Sequence, residues 1–353
     1  MRLGMTHMGS IDIAVRAMAR RLNVDLVATP PTTQRTLSLG VKYSPETVCL
    51  PFKLQLGNMI ESLETGADTV VMPGGPGPCR FGYYHKVHER ILRDLGYEFH
   101  MITQDEGILN IVKSLTDGIP ARKVAAAFHF GIAKLKAQEE LERKAQKVRA
   151  VARNKPEVTR IYKEAIKAVD SAPDYGAVKQ AKQEHLQKLE HLPTVNSLRP
   201  LKVGITGEIF IVIDPFANMD VETELGKLGV EVSRSIRLSE WVSLNLFMHF
   251  FKLRERDKAH RAARPYVSGH IGGDGWQSVG EKVMHARDWD GIVHLEPFGC
   301  LPEIVARNIM PSIKEGTPVL NVIYDEHTGK AGLISRLEAF IDMIQRRKRR
   351  QVA

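Results

Sequence analysis

Short β-branched runs alternate with single helical patterns in both outer thirds of the chain, and this alternation restricts the fold more than any other feature. Val24–Thr29, Thr69–Met72 and Tyr97–Ile102 have strand character. Between them, Lys53–Thr65 places Leu54, Met59, Ile60 and Leu63 at helical spacing and stops at Gly66, and His88–Asp94 carries a second helical pattern. After Pro200 the same grammar returns, with strands expected at Leu201–Ile205, Ile209–Ile213, Val230–Ser233, Gly291–Leu295 and Val319–Tyr324. Helices are expected at Glu222–Leu228, Val279–Ala286, Ile304–Ile313 and Gly332–Ile344. Strands separated by single helices predict parallel sheets covered by helices on both faces.

The middle obeys a different rule. From about Ile132 to Leu192 the chain is rich in Ala, Lys, Glu and Gln and nearly free of Gly, and Pro156 and Pro173 divide it into three helical pieces. The expected fold class is therefore α/β: two doubly wound, Rossmann-like parallel-sheet domains with a helical arm between them. The boundaries fall at residues 1–131, 132–199 and 200–353, with Pro193–Pro200 as a linker. A chain of 353 residues suits two or three domains of roughly 100–200 residues each. The arm has the makings of a lid, a dimer surface or a spacer.

Fifty Lys and Arg against 41 Asp and Glu give a net charge of +9. The excess is concentrated: residues 134–190 hold 14 basic against 9 acidic side chains, and Arg346-Arg347-Lys348-Arg349-Arg350 lies at the C-terminal end. Such a balance favours an anionic partner. A solvated helix surface explains it more simply, and nucleic acid is disfavoured because no aromatic-interleaved or zinc-finger pattern accompanies the charge. No apolar run approaches the roughly 18 residues of a bilayer-spanning helix, so no membrane partner is expected. The first residues lack the apolar core of a secretory signal. Three cysteines without regular spacing argue against a disulfide scaffold. A cytoplasmic protein is the expectation.

The three cysteines are the chemistry-bearing candidates. Cys49-Leu50-Pro51 and Cys300-Leu301-Pro302 repeat a triplet at the start of a helical pattern, with Pro near the first helical position, where its missing N–H costs nothing. Cys79 follows the Thr69–Met72 strand within Pro76-Gly77-Pro78-Cys79-Arg80-Phe81-Gly82. All three thus stand at loop-to-helix junctions, where ligands gather in open α/β sheets. Three chemistries fit: inert buried thiols, a zinc site completed by one His, or a 4Fe–4S cubane with three protein-ligated irons. Zinc sites usually show a close ligand pair, which is absent here.

Longer motifs add to this reading. Gly272-Gly273-Asp274-Gly275, the run Asp290-Gly291-Ile292-Val293-His294-Leu295-Glu296-Pro297-Phe298-Gly299-Cys300-Leu301-Pro302-Glu303, Tyr324-Asp325-Glu326-His327-Thr328-Gly329 and Arg336-Leu337-Glu338-Ala339-Phe340 resemble one family. Ser44–Lys53, Gly66-Ala67-Asp68 and Pro78-Cys79-Arg80 agree with it. The chain resembles the 2-hydroxyacyl-CoA dehydratase D-component-like proteins, in the branch associated with acyl-CoA dehydratase activases. That resemblance implies a 4Fe–4S cluster, or a larger double-cubane one, held by Cys49, Cys79 and Cys300. It further implies an ATP-dependent activase as electron donor, an acyl-CoA substrate or another small acceptor, and a homodimer or a related second subunit. A double cubane would want more thiolates than three. The activase's own ATP site is not evident, since Glu281 stands where a phosphate loop needs Lys. The alternative expectation is a non-catalytic iron–sulfur assembly or interaction protein that docks a partner through its basic helical arm.

Other polar residues carry paired expectations. Glu208, just after a strand, is either a base or iron-facing group over such a cluster, or a surface Glu that caps a turn. Glu46, Glu296 and Glu303 flank the cysteines and suit helix N–H groups. His294 and His327 are either proton shuttles or structural histidines. Lys53 and Arg80 either balance cluster charge, grip a phosphate or form surface ion pairs. The Gly272–Gly275 loop allows close backbone approach or a tight turn, and Trp241–Phe251, with His249, has the pattern of a core helix.

Overall fold

The computed structural model describes residues 1–72, 74, 79–103, 113–116, 118–195, 200–234, 236–240, 242, 255–269 and 271–352. The expected core helix Trp241–Phe251 lies outside the described residues apart from Val242, and so do residues 73 and 75–78 of the loop before Cys79 and 196–199 of the linker. The chain divides into two compact units: residues 1–132 with 297–301, and residues 133–296 with 302–353.

In the first unit, strands β1 (Arg2–Gly4), β2 (Asp25–Leu26), β3 (Thr69–Met72) and β4 (His100–Thr103) make a parallel sheet in the order β2-β1-β3-β4. Helices α1 (Ile11–Leu22), α2 (Gln34–Tyr43), α3 (Leu50–Glu64) and α4 (Tyr84–Asp94) supply the crossovers. Helix α3 is central: Leu50 to Leu63 are all buried, polar residues included. Most of its buried polar groups are paired, as burial favours, though Gln55 Oε1 has no hydrogen-bond partner among the described residues. Glu61 accepts from Thr36 Oγ1 at 2.6 Å and from Arg35 at 2.9 Å, and Asn58 donates to the Leu54 carbonyl at 3.0 Å. Two glycines set how closely α2 and α3 approach. A Cβ on Gly40 would lie 1.8 Å from the Lys53 carbonyl oxygen, and one on Gly57 would lie 2.0 Å from that of Thr36.

The arm is three helices, α5 (Ala121–Val151), α6 (Lys155–Ser171) and α7 (Tyr175–Glu190). Pro156 sits in the first turn of α6 behind the N-cap Asn154, and Asp174 caps α7 by accepting from Ala177 N at 2.9 Å. Ala145, Val148, Ala152, Val158, Ile161 and Leu189 form their shared core. From Ala133 onward the arm groups with the second unit.

That unit's sheet repeats the first one's order. Strands β5 (Leu201–Gly207), β6 (Val230–Arg234), β7 (Gly291–Pro297) and β8 (Val319–Tyr324) run parallel as β6-β5-β7-β8. Around them lie α8 (Ile209–Ile213), α9 (Val221–Lys227), α10 (Glu255–Ala263), α11 (Gly275–Met284), α12 (Leu301–Ile309) and α13 (Lys330–Val352). Partly buried Arg234, on β6, pairs with Glu142 of α5 at 2.5 Å and Glu222 of α9 at 3.0 Å, so the arm is pinned to this sheet by charge as well as by packing.

The expected fold class holds: two doubly wound parallel sheets flanked by helices. One strand was misplaced. Ile209–Ile213 is helical, all five residues are buried, and Glu208 opens the helix by accepting from Ile211 N at 3.0 Å. A short apolar run has no periodicity to separate a buried helix from a strand. Among the described residues no helix is long and apolar enough to cross a membrane.

Candidate functional site

Sheet order β2-β1-β3-β4 places the topological switch between β1 and β3, and β6-β5-β7-β8 places the second between β5 and β7. Open parallel sheets bind ligands beyond the strands' carboxyl ends at such points. Cys79 closes the segment that follows β3, and Cys300 closes the turn that follows β7. Every cysteine directly precedes a helix. Cys49 is the N-cap of α3, with extended backbone and Pro51 in the first turn. Cys79 is the N-cap of the 3-10 turn Arg80–Tyr83, which runs into α4. Cys300 precedes Leu301, the first residue of α12, and its N–H bonds the Pro297 carbonyl at 3.0 Å. None is in a disulfide; Cys49 is buried, and Cys79 and Cys300 are partly exposed.

Arg80 joins the three segments. Its guanidinium donates from Nη1 to the Thr47 carbonyl at 2.8 Å and from Nη2 to the Gly299 carbonyl at 2.8 Å. Thr47 lies two residues before Cys49, Gly299 one before Cys300, and Arg80 one after Cys79. Gly299 has a φ of +75°, a left-handed conformation that favours glycine, and a Cβ there would lie 3.2 Å from Nη2. All of these residues belong to the first unit. Arg80 thus bridges backbone, a use none of its three expected roles covered.

Beside Cys49 the wall is aromatic. The Tyr84 hydroxyl hydrogen-bonds the Cys49 Sγ. Tyr84 is buried, with Phe52 edge-on at 4.9 Å and Phe81 at 5.5 Å. His88, one turn along α4, has no exposed surface, lies 4.0 Å from the Phe52 ring and makes an Nε2 hydrogen bond with the Phe52 carbonyl at 3.1 Å. Burial is the main reason its pKa falls to about 3, with His85 adding and the Phe52 carbonyl opposing. The sequence analysis missed Tyr84, because it began the α4 helix at His88; the Tyr84–His88 pair, one turn apart, was the signal available.

In the second unit a buried polar ladder fixes α12, and with it the chain that follows Cys300. His294 and Glu296, two apart on β7, face Glu303 and Arg307, four apart on α12. His294 Nε2 meets Glu303 Oε2 at 2.7 Å with both side chains fully buried, and Arg307 meets Glu296 at 3.4 Å. Ser278 of α11 donates to Glu303 Oε2 at 2.8 Å, and His294 Nδ1 lies 3.0 Å from Asn321 Oδ1. Burial raises the Glu296 carboxyl above its ordinary range, with Arg307 opposing. The glycine loop serves this packing: a Cβ on Gly275 would lie 2.4 Å from the Pro302 carbonyl oxygen.

Glu208 caps the helix α8 and is partly buried, whereas the expected cap was a surface Glu on a turn. Its carboxyl is pushed up to about 8, chiefly by burial, with the charges of Asp274 and Glu303 adding and the Ile211 N–H opposing. Asp274 is anchored by the Ile209 N–H at 3.2 Å. The remaining candidates are placed otherwise. Lys53 is buried within α3, which removes it from surface ion pairing; Glu46 is exposed; and His327 donates its backbone N–H to Asp325 in an exposed turn.

The three cysteines are soft thiols, each at the start of a helical segment, where the backbone favours negative charge. Among the described residues no three His, Cys, Asp or Glu gather around the position of a single metal ion. Cubane ligands each bind a different iron, so they stand further apart than the ligands of one ion. Fold and geometry together define a doubly wound α/β protein in which Arg80 bridges backbone near Cys49 and Cys300. The chain matches no protein-family model, and no curated protein is a significant match to it.

Proposed function

We propose that this chain is an iron–sulfur redox protein whose 4Fe–4S-type cluster is held by Cys49, Cys79 and Cys300. The observation that carries the reading is the Arg80 bridge, which draws together backbone next to all three cysteines although they lie up to 251 positions apart in sequence. When bound, such a cluster supplies low-potential electron transfer and, at the iron without a cysteine, an open position for a substrate oxygen. The chain's own residues hold, orient and shield. Three helix starts present the thiolates, Arg80 sets the spacing of their segments, and Phe52, Phe81 and Tyr84 exclude water on the Cys49 side. Glu208, in the second unit, holds a proton near neutral pH.

An ATP-dependent activase is the proposed electron donor and a 2-hydroxyacyl-CoA, or a related reducible small molecule, the proposed acceptor; both rest on the motif resemblance. The test is metal analysis of protein purified without oxygen. Cys49→Ala, Cys79→Ala and Cys300→Ala should each lose most of the iron and sulfide, and Arg80→Ala should lose part while keeping its secondary structure. Full iron in Cys79→Ala would remove that residue from the ligand set.

A further inference from the structure

We propose that the Tyr84 hydroxyl is a tuning group, which donates a hydrogen bond to the Cys49 sulfur and so sets the reduction potential of the cluster proposed above. The inference rests on that reading and concerns one contact within it. Tyr84 is the first residue of α4 and Cys49 the N-cap of α3, and the hydroxyl meets the sulfur across these two helix starts. The ring cannot easily move away. Phe52 packs edge-on at 4.9 Å, Phe81 at 5.5 Å and His88 at 5.7 Å, so α3, the 3-10 turn and α4 each hold one side of it.

A buried tyrosine hydroxyl needs a partner, and its O–H can give its proton to a thiolate while the sulfur has no proton to give back. Hydrogen bonds to cluster sulfurs withdraw negative charge from iron and stabilise the reduced, more anionic form. Cys79 follows a different pattern: it is partly exposed and caps a short turn.

The test compares wild type, Tyr84→Phe and Tyr83→Phe, each loaded with cluster and titrated against chemical reductants, without activase or substrate. Tyr84→Phe keeps the ring packing, and Tyr83 is 66% exposed and serves as the control. Tyr84→Phe should retain its iron and become harder to reduce, the oxidised-to-reduced ratio at fixed potential rising roughly tenfold, about 59 mV for a one-electron couple. Tyr83→Phe should not shift. Full iron with an unmoved midpoint in Tyr84→Phe would overturn the tuning role and leave the cluster reading intact. Loss of iron from Tyr84→Phe alone would also overturn it, making the hydroxyl a requirement of assembly. A wild type without iron would instead overturn the reading beneath, and this inference with it.

Discussion

Two single side chains give the molecule opposite responses to pH. His88 is neutral in the fold, with a pKa of about 3 against an ordinary 6.5, and its Nδ1 has no hydrogen-bond partner among the described residues. The unfolded chain takes up a proton below pH 6.5 that the folded one refuses. Its contribution is therefore lost as pH falls from 6.5 towards 3, at a limiting slope of about 1.4 kcal/mol per pH unit. His88→Gln should flatten acid destabilisation in that window, measured as urea midpoints from pH 7 to 3; an unchanged slope would contradict a buried neutral histidine. Glu208 behaves in reverse. With a folded pKa of about 8 against 4.5, the fold keeps a proton that the unfolded chain releases, so stability falls as pH rises from about 4.5 to 8 and levels above. Glu208→Gln should match wild type near pH 5 and exceed it near pH 9 in thermal unfolding; equal melting temperatures at both would contradict the shift. Neither environment was legible in the sequence, since each depends on groups distant along the chain: Phe52 for His88, Asp274 and Glu303 for Glu208.

At the scale of elements, helix α3 carries the first unit because both its neighbours and its N-cap depend on it. Gly40 and Gly57 let α2 lie backbone to backbone against it, each glycine facing a carbonyl of the other helix. Overpacking there has no flexible side chain to displace, so Gly57→Ala should cost at least the ~1–3 kcal/mol typical of an overfilled core. It should also reduce iron retention, because Cys49 moves with the helix start. A Gly57→Ala variant of wild-type melting temperature would show that the two helices can part without cost. The sequence made α3 legible through its apolar spacing and its Gly66 stop, and Pro51 and Pro302 marked the helix starts after Cys49 and Cys300. It left α1, α2 and β1 unrecognised, because α2 is mostly polar and β1 has only three residues. It also made Ile209–Ile213 a strand. Five apolar residues fit either structure, and the helix there is decided by Glu208 from outside the run.

The whole molecule repeats one sheet order twice, and a cysteine follows the third strand of each sheet, Cys79 after β3 and Cys300 after β7. Two parallel-sheet units were legible as alternating runs on either side of a helical middle, but the strand order was not, and the Cys-Leu-Pro echo marked two helix starts. The assembly of the three segments was not legible, because Arg80 acts through backbone carbonyls that any sequence supplies. The central claim is that these cysteines hold iron. Iron and acid-labile sulfide per chain, measured on protein purified without oxygen and followed by a visible spectrum before and after dithionite, tests it most directly. The account predicts about four of each per chain and a broad absorption that bleaches on reduction. Zinc in place of iron, or a metal-free chain, would contradict it.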